Sequence, residues 1–341
     1  MSVKRFGKQT VRFSSPPVIA AVGSVAGKKE REGTLGHCFD YTSEDSYFGE
    51  KSWEKAESSM QKRALETACG KIKLQPCALD YIFAGDLLNQ CYASAFAMRD
   101  SGAPFFGLYG ACSTFCEALS LASMSIDGGY ADLAAAVTSS HFCGAERQFR
   151  LPLEYGGQRT PTAQWTATAA GAAILRADGE GPHINAVTTG IIRDAGIRDA
   201  NNMGAVMAPT AFDTLSAHFD DLGVDPAKYD LIATCDLGQL GRDILLELFA
   251  KNGSDISGNL DDCGMMLFSR EKQDVHSGGS GCGCSASVFC GYIYDGIKNG
   301  KWKNVLLAST GALMSPTTSG QGESIPGICH AVSISAQKEA V

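Results

Sequence analysis

Cys112 stands where an apolar run, a tight turn and a small-residue stretch meet, in Phe105 to Gly128, FFGLYGACSTFCEALSLASMSIDG. This order predicts strand, turn and helix, with Gly107 and Gly110 allowing the sharp turn and Ser113 or Thr114 capping the helix. Cys112 would then lie at or just before free helical N–H groups, which lower a thiol pKa and attract carboxylates and phosphates. The turn therefore suits a thiolate nucleophile, an anion seat, or simply a small buried residue where nothing larger fits.

Further groups are placed to join it. Asp86 and Asp236 each end an apolar strand and begin a helix, so they can act as N-caps, with Gln239 completing an Asp-x-x-Gln box after Asp236. Facing one cleft, the same carboxylates could instead hold a hard cation such as calcium. His141 follows Ser139 and Ser140 at the end of the strand after the Cys112 helix, and His330 follows Cys329 near the last strand. Arg147, Arg150 and Arg159 are either solvated, loop-pinning charges or forks for a ligand carboxylate. The turn Gly278 to Ser285, which includes Ser280 and Gly281, either starts a helix or offers a concave nest of N–H groups.

These residues need a scaffold, and strand and helix patterns alternate along the chain. Apolar strands are expected at Val18 to Val22, Asp80 to Ala84, Leu133 to Thr138 and Ala167 to Leu175, with helices over Lys51 to Ala68 and Tyr92 to Met98. Such alternation predicts an α/β fold with a parallel or mixed sheet covered on both faces. Phe142 to Trp165 is polar, aromatic and Gly-containing, and reads as a long ordered binding or partner loop.

The second half repeats the first. Asp80 to Leu87, DYIFAGDL, aligns with Asp230 to Leu237, DLIATCDL, at four identical positions of eight. The Cys112 turn has its counterpart in Gly278 to Lys298, and Leu133 to Ser139 in Val305 to Thr310. Duplication explains this, with the boundary at Asp178-Gly179-Glu180-Gly181-Pro182 and halves of residues 1–178, carrying the 142–165 loop, and 179–341. The two turns would face a single cleft beyond the carboxyl ends of the strands.

Composition excludes several alternatives. A net charge of −8 at pH 7, with only the short KKER run at Lys28 to Arg31, argues against nucleic acid as a partner. Thirteen scattered cysteines and an N-terminal MSVKRFGKQT without signal-peptide pattern predict reduced thiols in a cytosolic chain. Cys112 with Cys116, and Cys282 with Cys284, lack the paired spacing of a zinc site, so no protein-held metal is expected. No apolar run is long enough to span a membrane.

The duplicated halves and the two Gly-rich turns resemble the thiolase and ketoacyl-synthase superfamily. GKQT, GTLGH, AGDLLNQ, YGACST, GAERQFR, PLEYGGQ, MGAVMAP, DDCGMM, GGSGCGCSA and STGALMSPT together resemble one branch, the stage V sporulation protein AD family, from Gly7 to about Val332. The resemblance implies a thiolase-like fold of two pseudo-symmetric half-domains in αβαβα layers. It implies binding of dipicolinic acid as its calcium chelate, without a cofactor, and work beside membrane proteins of the same sporulation operon. That work would be peripheral to the spore inner membrane, moving the chelate in during sporulation and out at germination; the superfamily also implies a homodimer. The ligand residues expected are Cys112, Ser113, Asp86, Ser140, His141, Arg147, Asp236, Ser280, Gly281 and His330, with Asp86 and Asp236 near the chelated calcium.

Condensing enzymes of the superfamily pair the cysteine with a histidine and a second His or Asn. Here the first position falls near Asp236 and the second in Gly279-Ser280-Gly281, and no GHP- or HGN-type motif is present. The expectation is a binding protein rather than an enzyme. The rivals are an acyl-thioester transferase using Cys112 and an interaction scaffold with no ligand.

Overall fold

The computed structural model describes residues 4–149 and 158–338. On the main path of the large sheet, five strands come from the first half: β1 (Val18–Ala26), β2 (Tyr81–Gly85), β3 (Phe105–Leu108), β4 (Leu133–Ser140) and β5 (Ala169–Arg176). The second half contributes β6 (His183–Thr188), β7 (Leu231–Thr234), β8 (Leu260–Asp262), β9 (Asn304–Ala312) and β10 (Gly327–Ser335). They run in one continuous path, β8-β7-β9-β10-β6-β1-β5-β4-β2-β3. Read outward from the β1–β6 junction, the two orders are the same, and so are the senses. β2 lies parallel to β3 and β4, as β7 does to β8 and β9, whereas β5 and β10 are antiparallel to both their neighbours.

One side chain shows how deep the repeat goes. Asp80 accepts from the N–H groups of Asp132 and Leu133 at 2.9 and 3.0 Å, and Asp230 accepts from those of Lys303 and Asn304 at 2.6 and 2.8 Å. In each half an aspartate leading the second strand thus ties down the start of the fourth.

The helices repeat too. α1 (Trp53–Lys71) and α2 (Tyr92–Met98) precede α3 (Thr114–Asp127), and α4 (Phe142–Phe149) closes the helices of the first half. α5 (Met203–Leu222), α6 (Gly238–Lys251), α7 (Cys263–Leu267) and α8 (Cys282–Val288) belong to the second. α1 covers one outer face by packing on β1, β4 and β5, and α5 covers the other by packing on β9 and β10. Between the sheet halves, α3 touches β2 and β4 as well as β9 and β10, whereas α8 lies on β1, β4 and β5 of the opposite half. The layers are therefore helix, sheet, helix, sheet, helix. The AAGAA run of β5 is what lets α8 come so close: a Cβ on Gly171 would stand 2.4 Å from the Ala286 carbonyl oxygen.

One expectation is corrected. Phe142 to Trp165 is not a loop throughout, since Phe142–Phe149 is helical and buries Gly144, Ala145 and Glu146. Burial of this short face against the body outweighs the weak helical pattern of FCGAERQF.

Candidate functional site

After β3 the backbone turns at Ala111, whose φ of 53° is left-handed although it has a side chain. The turn is held locally. Ser113 Oγ donates to the Gly110 carbonyl at 2.7 Å, Thr114 Oγ1 donates to the Ala111 carbonyl at 2.6 Å, and Gly110 N–H donates to Thr114 Oγ1 at 3.0 Å. Neither hydroxyl accepts a helix N–H, so the expected side-chain cap is absent and both instead fasten the elbow carrying Cys112. The second half presses on the same turn, where a Cβ on Gly311 of β9 would lie 2.3 Å from the Gly110 carbonyl oxygen.

Asp236 meets Cys112 there. One carboxylate oxygen accepts from Thr310 Oγ1 at 2.6 Å, the other lies a long 3.5 Å from Gly281 N–H, and the Cys112 thiol lies beside the same carboxylate. Burial pushes Asp236 up to about 6. Burial first, and then the neighbouring Asp236, push the Cys112 thiol well above its usual value. The thiolate expected from the helix start is overruled: Ser113 separates Cys112 from the first helical residue, Thr114, and desolvation and a carboxylate dominate its surroundings.

Cys112 and Asp236 open onto a cavity of about 500 Å³, counting its mouth, which Ser280 also lines. Its walls are chiefly Leu87, Tyr109, Phe149, Met203, Met207 and Met314. The polar groups on it are acceptors in the main. Glu146 takes a hydrogen bond from Thr166 Oγ1 at 3.1 Å, and Gln164 donates to the Asp236 carbonyl while its own Oε1 stays buried without a partner. No cationic side chain or histidine is among the described lining residues. Methionines at 203 and 207, one helical turn apart, were the one sequence signal for this wall; Glu146 and Gln164 gave none.

The other expected residues lie elsewhere. Asp86 is fully buried behind Leu87, accepting from Leu88 N–H and Ser94 N–H, both at 2.8 Å, and from Ser94 Oγ at 2.6 Å. It serves the start of α2 and, with buried Glu57 as neighbour, does not meet Asp236 across a cleft; burial raises both Asp86 and Glu57. Nor does Asp236 cap a helix. That task falls to Asp262, which accepts from Leu237 N–H at 2.8 Å and Gly238 N–H at 3.1 Å, while Gln239 N–H donates to the Ser277 carbonyl instead of closing a box.

His141 donates through Nε2 to the Ser46 carbonyl at 2.8 Å and lines a different cleft. His330 receives the Gly190 N–H at 3.2 Å and is brought down to about 4 by burial, away from the cavity wall. Ser140 is buried, donating to the Ala167 carbonyl at 2.6 Å. Gly281, at a φ of 102°, shapes the turn before α8. Arg147 pairs with Glu54 and Arg159 reaches the Gln164 carbonyl at 2.5 Å, whereas Arg150 lies outside the described residues. Among the described residues no group of three or more His, Cys, Asp or Glu could hold a metal ion, and no helix is long and apolar enough to cross a membrane. All thirteen cysteines are free thiols.

Comparison with known proteins adds the following. 3-Oxoacyl-[acyl-carrier-protein] synthase III of Aquifex aeolicus superposes with a TM-score of 0.54 at 15% identity, covering 94% of this chain and 99% of that one. Cerulenin-bound OleA of Xanthomonas campestris gives a TM-score of 0.59 at 12% identity, covering 95% and 98%. At such identities the likeness shows the thiolase-like fold alone. Stage V sporulation protein AD of Bacillus subtilis (strain 168) is 42% identical over 330 residues, 97% of each chain. The model of the family described as stage V sporulation protein AD matches residues 7–335. Nearly the whole chain is thus accounted for, and it belongs to the stage V sporulation protein AD family, with a role in sporulation.

Proposed function

We propose that this protein binds dipicolinate as its calcium chelate in the Cys112 cavity and does not turn it over. The observation that carries the reading is the character of the wall: apolar side chains around a narrow space, with Asp236, Glu146 and the unpartnered Gln164 Oε1 as its polar groups. A bare dianion would be repelled there, whereas a flat aromatic chelate brings its own cation to face oxygen acceptors. Calcium is then part of the cargo. Catalysis is not expected, since Cys112 faces a carboxylate rather than a histidine, and burial and that charge keep the proton on its thiol.

Partners follow from the same reading: membrane proteins of the sporulation operon at the spore inner membrane, for uptake in sporulation and release in germination. A homodimer has support in β3, an edge strand whose Phe105 and Phe106 are 37% and 50% exposed. Calorimetric titration with dipicolinate, with and without calcium, tests the binding. Saturable heat with the chelate that disappears in Cys112→Trp supports it; equal binding by the folded variant places the ligand elsewhere, and no binding at all favours a scaffold.

A further inference from the structure

A second cleft, with a lining distinct from that of the Cys112 cavity, is built around two buried acceptors with nothing to accept. Glu30 is 1% exposed; its Oε1 receives the Thr168 N–H at 2.9 Å and its Oε2 has no partner. His141 is equally buried, and because Nε2 must donate to the Ser46 carbonyl, Nδ1 is left as a bare lone pair, also without a partner. Both side chains line a single open cleft of about 860 Å³. The connection between them is short, since Thr168 serves both sides, giving its N–H to Glu30 and receiving the Phe142 N–H on Oγ1 at 3.1 Å.

The rim has the opposite character. Lys28 and Lys272 stand exposed on it, with Glu32 beside them. Lys29 is already engaged, with Nζ 3.4 Å from the Trp165 ring centre and donating to the Asp274 carbonyl at 2.9 Å, and Trp165 is stacked on Phe142 at 3.7 Å. One wall is thus a rigid aromatic pair clamped by a cation.

We propose that this cleft binds a small aminocarboxylate, its ammonium donating to Glu30 Oε2 and His141 Nδ1 and its carboxylate facing Lys28 and Lys272. An unmade hydrogen bond at a buried acceptor is costly, and a group with several N–H donors relieves two such costs at once. A plain carboxylate would satisfy the rim and leave the floor unpaired; a plain amine would do the reverse. Burial raises Glu30 to about 7 and lowers His141, so mildly alkaline solution leaves the first anionic and the second neutral, the states that accept.

The test is titration of the full chain at pH 8 with glycine, L-alanine and L-asparagine, followed by ligand-observed NMR, with propionate and ethylamine as half-ligands. Saturable binding of an amino acid is expected, with each half-ligand weaker by about tenfold or more. Glu30→Gln keeps the oxygen that serves Thr168 and turns the free acceptor into a donor, so it should lose binding by about tenfold or more with the fold intact by circular dichroism. Lys28→Glu with Lys272→Glu, both on the surface, should weaken it as well and serves if Glu30→Gln does not fold. Cys112→Trp should bind the amino acid as the wild type does, which separates this site from the chelate cavity. No saturable binding by any of the amino acids, as when water alone fills the cleft, overturns the proposal. Propionate binding as tightly as the amino acids overturns it too, as does unchanged affinity in the variants.

Discussion

The Cys112 thiol lies beside the Asp236 carboxylate across the junction of the two halves, so that the most conspicuous cysteine of the chain is kept as a thiol by burial and a neighbouring negative charge. Burial raises the proton affinity of both groups; Asp236 raises that of the thiol further, whereas the thiol beside it lowers that of Asp236.

Asp236→Asn should therefore change stability in a pH-dependent way. The folded value of about 6 lies above the ordinary carboxylate value, so the native chain holds a proton that the unfolded chain gives up. Stability from this group is complete below about pH 4 and is lost as pH rises through about 6, at about 1.4 kcal/mol for each pH unit separating the two values. The variant should gain on the wild type as pH is raised from 4 to 7, by roughly 1–3 kcal/mol after allowance for a buried group. Urea unfolding at pH 4, 5.5 and 7 measures it, and a constant difference would contradict the assignment.

Thiol reactivity should follow the same pairing. At pH 7.5 Cys112 should react with iodoacetamide at least about tenfold more slowly than exposed Cys77, and Asp236→Asn should narrow the gap. Peptide mass spectrometry after timed alkylation gives both rates. Incubation with acetyl-CoA or malonyl-CoA should leave no adduct; a stoichiometric one that vanishes in Cys112→Ala would restore the acyltransferase reading.

Binding of the calcium chelate should weaken about tenfold in Glu146→Gln or Gln164→Leu, as each removes an oxygen acceptor or its charge. Arg147→Ala, on the outer surface beside Glu54 and Trp53, should leave it unchanged. Asp86→Arg should not fold at all, because a guanidinium would enter a fully buried site next to Glu57. Calorimetry on the soluble variants and expression yield of the last decide these points.

Phe106→Lys should lower the association state. Phe106 stacks on Phe83 at 5.2 Å yet remains half exposed on the sheet's edge, and a lysine there blunts strand pairing. Sedimentation velocity should show a dimer for the wild type and a monomer for the variant; a monomeric wild type removes the dimer from the reading.

The repeat was legible because its markers are local. An aspartate before an apolar strand needs only the neighbouring strand to be satisfied, so Asp80 and Asp230 stand alike in both sequence and structure. Site residues were less so. Asp86 and Asp236 occupy equivalent places, but which carboxylate caps a helix was decided by Asp262, some 26 positions later by numbering, and no spacing rule carries that exchange. His141 follows β4 as expected, yet its ring turns to Ser46, in a segment the alternation of strands did not describe. The wall residues Glu146 and Gln164 come from a stretch whose helix depends on burial rather than on pattern.

The crossing of α3 and α8 between the sheet halves has a further consequence. Cut at the turn after Asp178, neither piece would keep a finished interior: the first would lose the helix that lies on β1, β4 and β5, and the second the helix that lies on β9 and β10. Each fragment would be left with a large sticky face whose only good cover is its counterpart. Such a molecule behaves as a fused pair of subunits, melting in one step and recoverable from two separately encoded pieces only when both are made in the same cell.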